Sequence, residues 1–311
     1  MEDYPKTLLE FERQFGTEVA CIEYLFKLRW PEGFRCPRCG HVEVWRMRRD
    51  LYRCAHCRTE SSVTSGTIFQ DTRKPLQVWF RAIWHLTSQK YGANALGLQR
   101  VLDFGSYRTA WTWLHKLRRA MVRQGRDRLS GMVQADEIYI GGEKPGKRGR
   151  GAAGKALVVV MVEVKGDEIG RIRLRHVQDA SGPSLEGAIK EGVEPNSTVQ
   201  TDGWAGYGKL SKLGYRHDVI RKETGIGTSL LPKVNRVASL LKRWLLGTYQ
   251  GGVQLSHLDY YLDEYTFRFN RRTSRSRGKL FYRLVQQSVT IAPLSGRDLR
   301  APRARSKNTI Y

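Results

Sequence analysis

Apolar residues recur at helical spacing along three stretches of the first part of the chain. Leu8, Leu9, Phe11 and Phe15 predict one apolar helix face within residues 1–30. "PLQVWFRAIWHLTSQKYG" predicts a second helix with Trp79 and Trp84 inward. "NALGLQRVLDFGSYRTAWTWLHKLRRAM" reads as helix, glycine-containing turn, helix, with Ser106 as N-cap of the second helix and Trp113 and Leu117 inward. These stretches delimit a helical region over 72–127, read either as a helix-turn-helix or as an ordinary packed helical hairpin. From about residue 130 the period changes. The β-branched runs "ALVVVMVEV" and "IGRIRLRHV" alternate with helical segments such as "SGPSLEGAIKEG", predicting an α/β domain over 130–290. Helical spacing returns at "LPKVNRVASLLKRWLLGTY", and a basic tail, 291–311, closes the chain.

With 311 residues the chain has room for about two domains. Its formal net charge of +24 points to a polyanionic partner, because binding one releases condensed counterions. No apolar run approaches the roughly 18 residues of a membrane span, so a membrane partner is not expected. The opening "MEDYPKTLLEFERQFG" lacks a basic segment followed by an apolar one, so a cytoplasmic protein is expected.

Four of the five cysteines, Cys36, Cys39, Cys54 and Cys57, form two Cys-x-x-Cys turns separated by 14 residues within 31–62. Each turn aims two thiolates at one point, and the pairs together complete a tetrahedral, structural Zn²⁺ site with no position left for substrate. A redox dithiol is the competing reading. Arg35, Arg38, Arg46, Arg48, Arg49, Arg53 and Arg58 decorate this ribbon and suit phosphate contact.

Acid inside a strand-like run is the chain's odd feature. In "QADEIYIGG", period-two alternation groups Asp136 with Ile138 and Ile140 and sends Glu137 to the other face. A second acid, Asp202 of "STVQTDGWAGYG", ends a short apolar strand, where α/β sheets place their chemistry. Two carboxylates brought together repel unless a divalent cation lies between them, and hard oxygen ligands suit Mg²⁺ or Mn²⁺. Taken singly, Asp136 also reads as an edge-strand charge and Asp202 as an Asp-Gly turn. Further on, Asn235, Ser239 and Lys242 share one helix face, opposite the stripe Val234, Val237, Leu241 and Leu245.

In this order, "CPRCG…YRCAHC", "VQADEIYIGG", "TDGWAGY", "NRVASLLKRWLLGTYQG" and "YLDEYTFRFNRR" resemble bacterial insertion-sequence transposases. These proteins join a zinc ribbon and helix-turn-helix to a DDE catalytic domain with the ribonuclease H fold, a mixed sheet flanked by helices. The resemblance implies two-metal cleavage at element ends and strand transfer into target DNA, by an oligomer on DNA associated with the bacterial nucleoid. It maps the catalytic aspartates onto Asp136 and Asp202. Where these enzymes carry a third acid, this chain has Asn235, and Lys242 follows seven residues later as in some members. Glu264 is the nearby acid to consider as a substitute, though its spacing to Arg268 predicts an intrahelical ion pair instead. Arg108 of the helical region, Lys147, Arg148 and Arg150 of the loop after Asp136, and Arg271 and Arg272 are the expected DNA contacts.

Overall fold

The computed structural model describes residues 2–123, 125–141, 155–221 and 230–300. The chain divides into two compact units, residues 1–123 with 274–304, and residues 124–273 with 305–311.

The first unit opens with helices α1 (Leu8–Gln14) and α2 (Glu18–Arg29). Thr7 and Thr17 cap them, each hydroxyl accepting a first-turn N–H at 3.2 Å. The predicted single face is therefore broken between the caps. Phe11 and Phe15 are buried, but Leu8 is 53% and Leu9 64% exposed, because α1 is too short to turn four apolar residues toward one core. Strands β1 (Val44–Arg46), β2 (Tyr52–Cys54) and β3 (Glu60–Ser61) form the antiparallel ribbon. Helix α3 (Leu76–Ser88) follows, its orphan N–H groups at Leu76 and Gln77 satisfied by the Glu18 carboxylate at 2.7 and 3.1 Å. Helices α4 (Ala95–Val101) and α5 (Tyr107–Ala120) complete the helical region. Asn94 caps α4, and Ser106 caps α5 as its sequence predicts, with Trp113 and Leu117 buried.

The second unit is built on β4 (Met132–Ile140), β5 (Ala156–Lys165), β6 (Glu168–Val177), β7 (Thr198–Thr201) and β8 (Arg216–Val219), in the order β6-β5-β4-β7-β8. The first three strands pair antiparallel; β7 runs parallel to β4, and β8 parallel to β7. Helix α6 (Gly182–Gly192) crosses between β6 and β7, while α7 (Pro232–Tyr249) and α8 (Leu258–Phe269) follow the sheet. The strand alternation divides the core in two. Ile138, Ile140, Val158, Val160 and Val162 pack with Val234, Val237 and Leu241 of α7. Val133, Ala135, Val159 and Met161 face the other way, onto Leu185 and Ile189 of α6. Both faces of β5 are covered, which is why its sequence is a nearly continuous apolar run.

The chain then returns to the first unit with α9 (Arg277–Ser288) and α10 (Gly296–Arg300). The α/β domain is expected over 130–290; the division into compact units places residues 274–304 with the first unit. Phe281 of α9 is fully buried, with its ring centroid 5.5 Å from that of Phe11, 5.4 Å from Phe15 and 5.7 Å from Phe80. That aromatic burial, worth about 2–3 kcal/mol for one ring, assigns the helix to the first core.

Candidate active site

Four cysteines make one site. Sγ of Cys36 lies 3.6 Å from that of Cys57, and Sγ of Cys39 lies 3.6 Å from that of Cys54. All four sulfurs fall within 4.8 Å of one another. A tetrahedral Zn²⁺ with bonds of about 2.3 Å separates its sulfurs by about 3.8 Å, so this donor set fits the ion. The Thr59 hydroxyl, 3.3 Å from Cys57 Sγ, is the main cause lowering that thiol to about 6, favouring the thiolate that binds metal. Nearby, the Arg58 guanidinium stacks on Trp45 at 4.4 Å.

The second site sits on the sheet face turned toward α7. Period two sets Gln134, Asp136, Ile138 and Ile140 on that face, and the two isoleucines pack into its core. The parallel ladder aligns Gln134 with Gln200, the last paired rung between β4 and β7. Asp136 stands two residues beyond Gln134, and Asp202 two beyond Gln200, where β7 has ended. Asp136 is half-buried and accepts the Glu137 N–H at 2.8 Å. Asp202 is exposed, and its Oδ1 accepts the Trp204 N–H at 3.0 Å across Gly203. Gly203 has φ +82° and no room for a side chain, since a Cβ would stand 2.6 Å from Val219. The Asp-Gly turn reading was thus right as geometry, and the turn is what presents the carboxylate at the sheet's edge.

One rung behind the acids runs a row of amides that the sequence did not flag. The Lys233 N–H, in the first turn of α7, donates to Gln134 Oε1 at 3.2 Å. Gln134 Nε2 donates to Gln200 Oε1 at 3.3 Å, and Gln200 Nε2 donates to Asp218 Oδ2 at 2.9 Å. This row fastens the start of α7 to the strand that carries Asp136. Asn235 lies in the same first turns of α7, and Asn235, Ser239 and Lys242 are all exposed, while Val234, Val237, Leu241 and Leu245 are buried as expected. Only the even spacing of Gln134 and Asp136 could have hinted at the row, since its other members come from distant strands.

Glu137 points away from this face. Tyr207 Oη donates to Glu137 Oε2 at 3.1 Å. Burial, then the charges of Glu137, Asp136 and Asp202, raise the Tyr207 phenol far above its ordinary range. Glu264 is wholly buried on α8, where Arg268 Nε donates to it at 2.9 Å and Tyr249 Oη at 3.1 Å; it forms the intrahelical pair its spacing predicts.

The expected DNA contacts differ in availability. Arg108 is exposed at the start of α5. Lys147, Arg148 and Arg150 lie outside the described residues. The guanidinium groups of Arg271 and Arg272 are engaged within the second unit: Arg271 donates to the Phe267 carbonyl at 3.2 Å, and Arg272 donates to the carbonyls of Ile169, Gly170 and Phe269. Each also stacks on an aromatic ring, at 4.1 and 4.2 Å. Among the described residues, no helix is long and apolar enough to cross a membrane.

Residues 128–270, nearly all of the second unit, match the family described as the ISXO2-like transposase domain. Residues 16–60, which hold α2 and most of the ribbon, match the transposase zinc-ribbon domain. Both are transposase-family domains. Over 293 residues the chain is 26% identical to an uncharacterized protein in transposable element ISH50 of Halobacterium salinarum, covering 86% of this chain and 95% of that relative. The stretch that matches the transposase domain contains Asp136, Asp202, Asn235 and Lys242, and the stretch that matches the zinc-ribbon domain contains all four clustered cysteines.

Proposed function

We propose that the chain is an insertion-sequence transposase that binds the ends of its element, cleaves DNA there and joins the freed end to target DNA. The observation that carries this reading is the parallel pairing of β4 with β7, which ends at Gln134 and Gln200, two residues before Asp136 and Asp202, within a stretch that matches a transposase domain and is fastened to the start of α7. We read that domain as ribonuclease H-like. Its sheet of three antiparallel strands extended by two parallel ones, with α6 on one face and α7 and α8 on the other, supports the assignment.

Two carboxylates on one face and the Asn235 side-chain oxygen form a hard donor set that fits Mg²⁺ or Mn²⁺. A divalent ion held there supplies charge to activate an attacking oxygen and to stabilise the leaving one in phosphodiester exchange. The chain's own residues do the positioning. Asp136 and Asp202 would hold the ions, Asn235 would orient a ligand without adding charge, and Lys242 would meet a flanking phosphate as a point charge. No covalent enzyme intermediate is needed; orientation and charge stabilisation supply the rate. DNA binding is assigned to the arginines of the ribbon, to Arg108 and to the basic residues within 142–154, acting mainly on the phosphate backbone. Arg271 and Arg272 would contact DNA only with N–H groups left over from their structural bonds. A homo-oligomer on DNA follows from the need to hold two element ends together.

The test is strand transfer of a pre-cleaved element end in Mg²⁺ or Mn²⁺. Asp136→Ala and Asp202→Ala should each lower the rate at least about 10³-fold while binding of the same DNA persists. Strand transfer retained by either variant would sink the scheme.

A further inference from the structure

The carboxylate pair lies where β4 and β7 are no longer laddered together. Their paired residues stop at Gln134 and Gln200, whereas Asp136 and Asp202 stand two positions further on. Something other than that ladder must fix how far apart the two acids are held. On the opposite face of the sheet, the residue next to Asp136 is bonded to the segment that follows Asp202: Tyr207 Oη donates to Glu137 Oε2 at 3.1 Å.

That segment is rigid. Gly206 is boxed in, since a Cβ there would lie 2.7 Å from Leu185, 2.8 Å from the Ala180 carbonyl and 2.9 Å from the Trp204 indole nitrogen. The Trp204 indole donates to the same Ala180 carbonyl at 3.0 Å. Tyr207 is wholly buried among Leu185, Val199 and Leu210, so its ring has no freedom to swing. A fixed ring bonded to a strand residue acts as a brace. It links the turn carrying Asp202 to the strand carrying Asp136, just beyond the last rung.

We propose that Glu137 and Tyr207 are positioning residues that set the spacing of Asp136 and Asp202, and hence their affinity for a divalent ion. This rests on the assignment of Asp136 and Asp202 as metal-holding residues. It also gives Glu137 a role in the Asp-Glu pair: it holds the strand for its neighbour and takes no part in ligation. Successive strand residues point to opposite faces, so one acid can face the ion while the next is braced from behind. Partners that orient metal ligands typically change metal affinity by about 10–100-fold when removed.

The experiment is a Mn²⁺ titration of the full-length, zinc-loaded protein, followed by spectroscopy of the bound and free ion, with thermal unfolding recorded in parallel. The wild type should bind Mn²⁺ and Asp202→Ala should not. Tyr207→Phe keeps the buried ring and loses only the hydroxyl, and should weaken Mn²⁺ binding about tenfold or more. The Mn²⁺ concentration needed for half-maximal strand transfer should rise to match, with the rate at saturating Mn²⁺ largely restored. Glu137→Gln keeps an acceptor oxygen and should stay within about twofold of wild type, whereas Glu137→Ala should behave as Tyr207→Phe does. If Tyr207→Phe fails to fold, the two Glu137 variants carry the same comparison. Wild-type Mn²⁺ affinity in folded Tyr207→Phe and Glu137→Ala would overturn the brace and leave the transposase assignment standing. A wild-type protein that binds no Mn²⁺ dependent on Asp136 and Asp202 would overturn both.

Discussion

The two sites of this protein are assembled by opposite means. In the ribbon, four sulfurs come from two short turns and gather within 4.8 Å, with every ligand written into one stretch of the chain. In the second unit, Asp136 and Asp202 come from segments far apart in the chain, and the parallel pairing of β7 with β4 is what brings those segments side by side. A ribbon of three short strands has too little apolar surface to stand without its ion, so metal and fold are one event there. The sheet is different. Its packed valines, with Val158, Val159, Val160 and Val162 all fully buried, form a core that owes nothing to a metal. The ribbon is made by its ion; the sheet is made by its own packing.

Stripping zinc is the sharpest way to break that contrast. Ions of this kind contribute on the order of 10 kcal/mol of apparent binding free energy at neutral pH, so a strong chelator should unfold the ribbon outright. Amide exchange should accelerate at β1–β3 and stay slow across β4–β7. Loss of protection in both units at once would show that the sheet is not independent of the metal.

A cavity in the second core should have a smaller effect. Leu241 of α7 is fully buried against the sheet, and Leu241→Ala should cost about 2–5 kcal/mol. Denaturant unfolding followed at the second unit should show that loss, with the zinc content unchanged. An unshifted transition would mean that α7 is not seated on the sheet as described.

The smallest effect concerns a local contact inside the non-local unit. Arg171 Nη2 donates to Glu163 Oε1 at 2.9 Å across the β5–β6 hairpin. Burial alone would raise the Glu163 carboxyl, but the bonds and charge from Arg171 outweigh it and hold the group below its ordinary 4.5. A carboxylate with a depressed folded value stabilises the protein fully above its unfolded value, and that contribution fades as the pH falls through the folded one. Arg171 is 35% exposed, so solvent screens the pair and Glu163→Gln should cost only about 1 kcal/mol at neutral pH. The difference between variant and wild type should shrink below about pH 4.5. A difference independent of pH would assign the cost to packing.

Much of the local structure was legible in the residues because it depends on short-range period and chemistry. The Cys-x-x-Cys turns fixed the zinc cluster, Ser106 fixed the start of α5, and the spacing of Val234, Val237 and Leu241 fixed which face of α7 would be buried. Alternation along β4 separated Asp136 from Glu137 before any strand was paired. The remainder was decided by contacts between distant segments. Leu8 and Leu9 have the right spacing for a core, yet they lie exposed on a seven-residue helix while Phe11 and Phe15 are buried. Helix α9 carries no mark of its allegiance until Phe281 meets Phe11, Phe15 and Phe80. Arg271 and Arg272 read as free cations until backbone carbonyls take up their donors. Periodicity tells a residue which way to face. Which other residue it will face is set by register and docking, where the free energy resides in surfaces far apart in the chain.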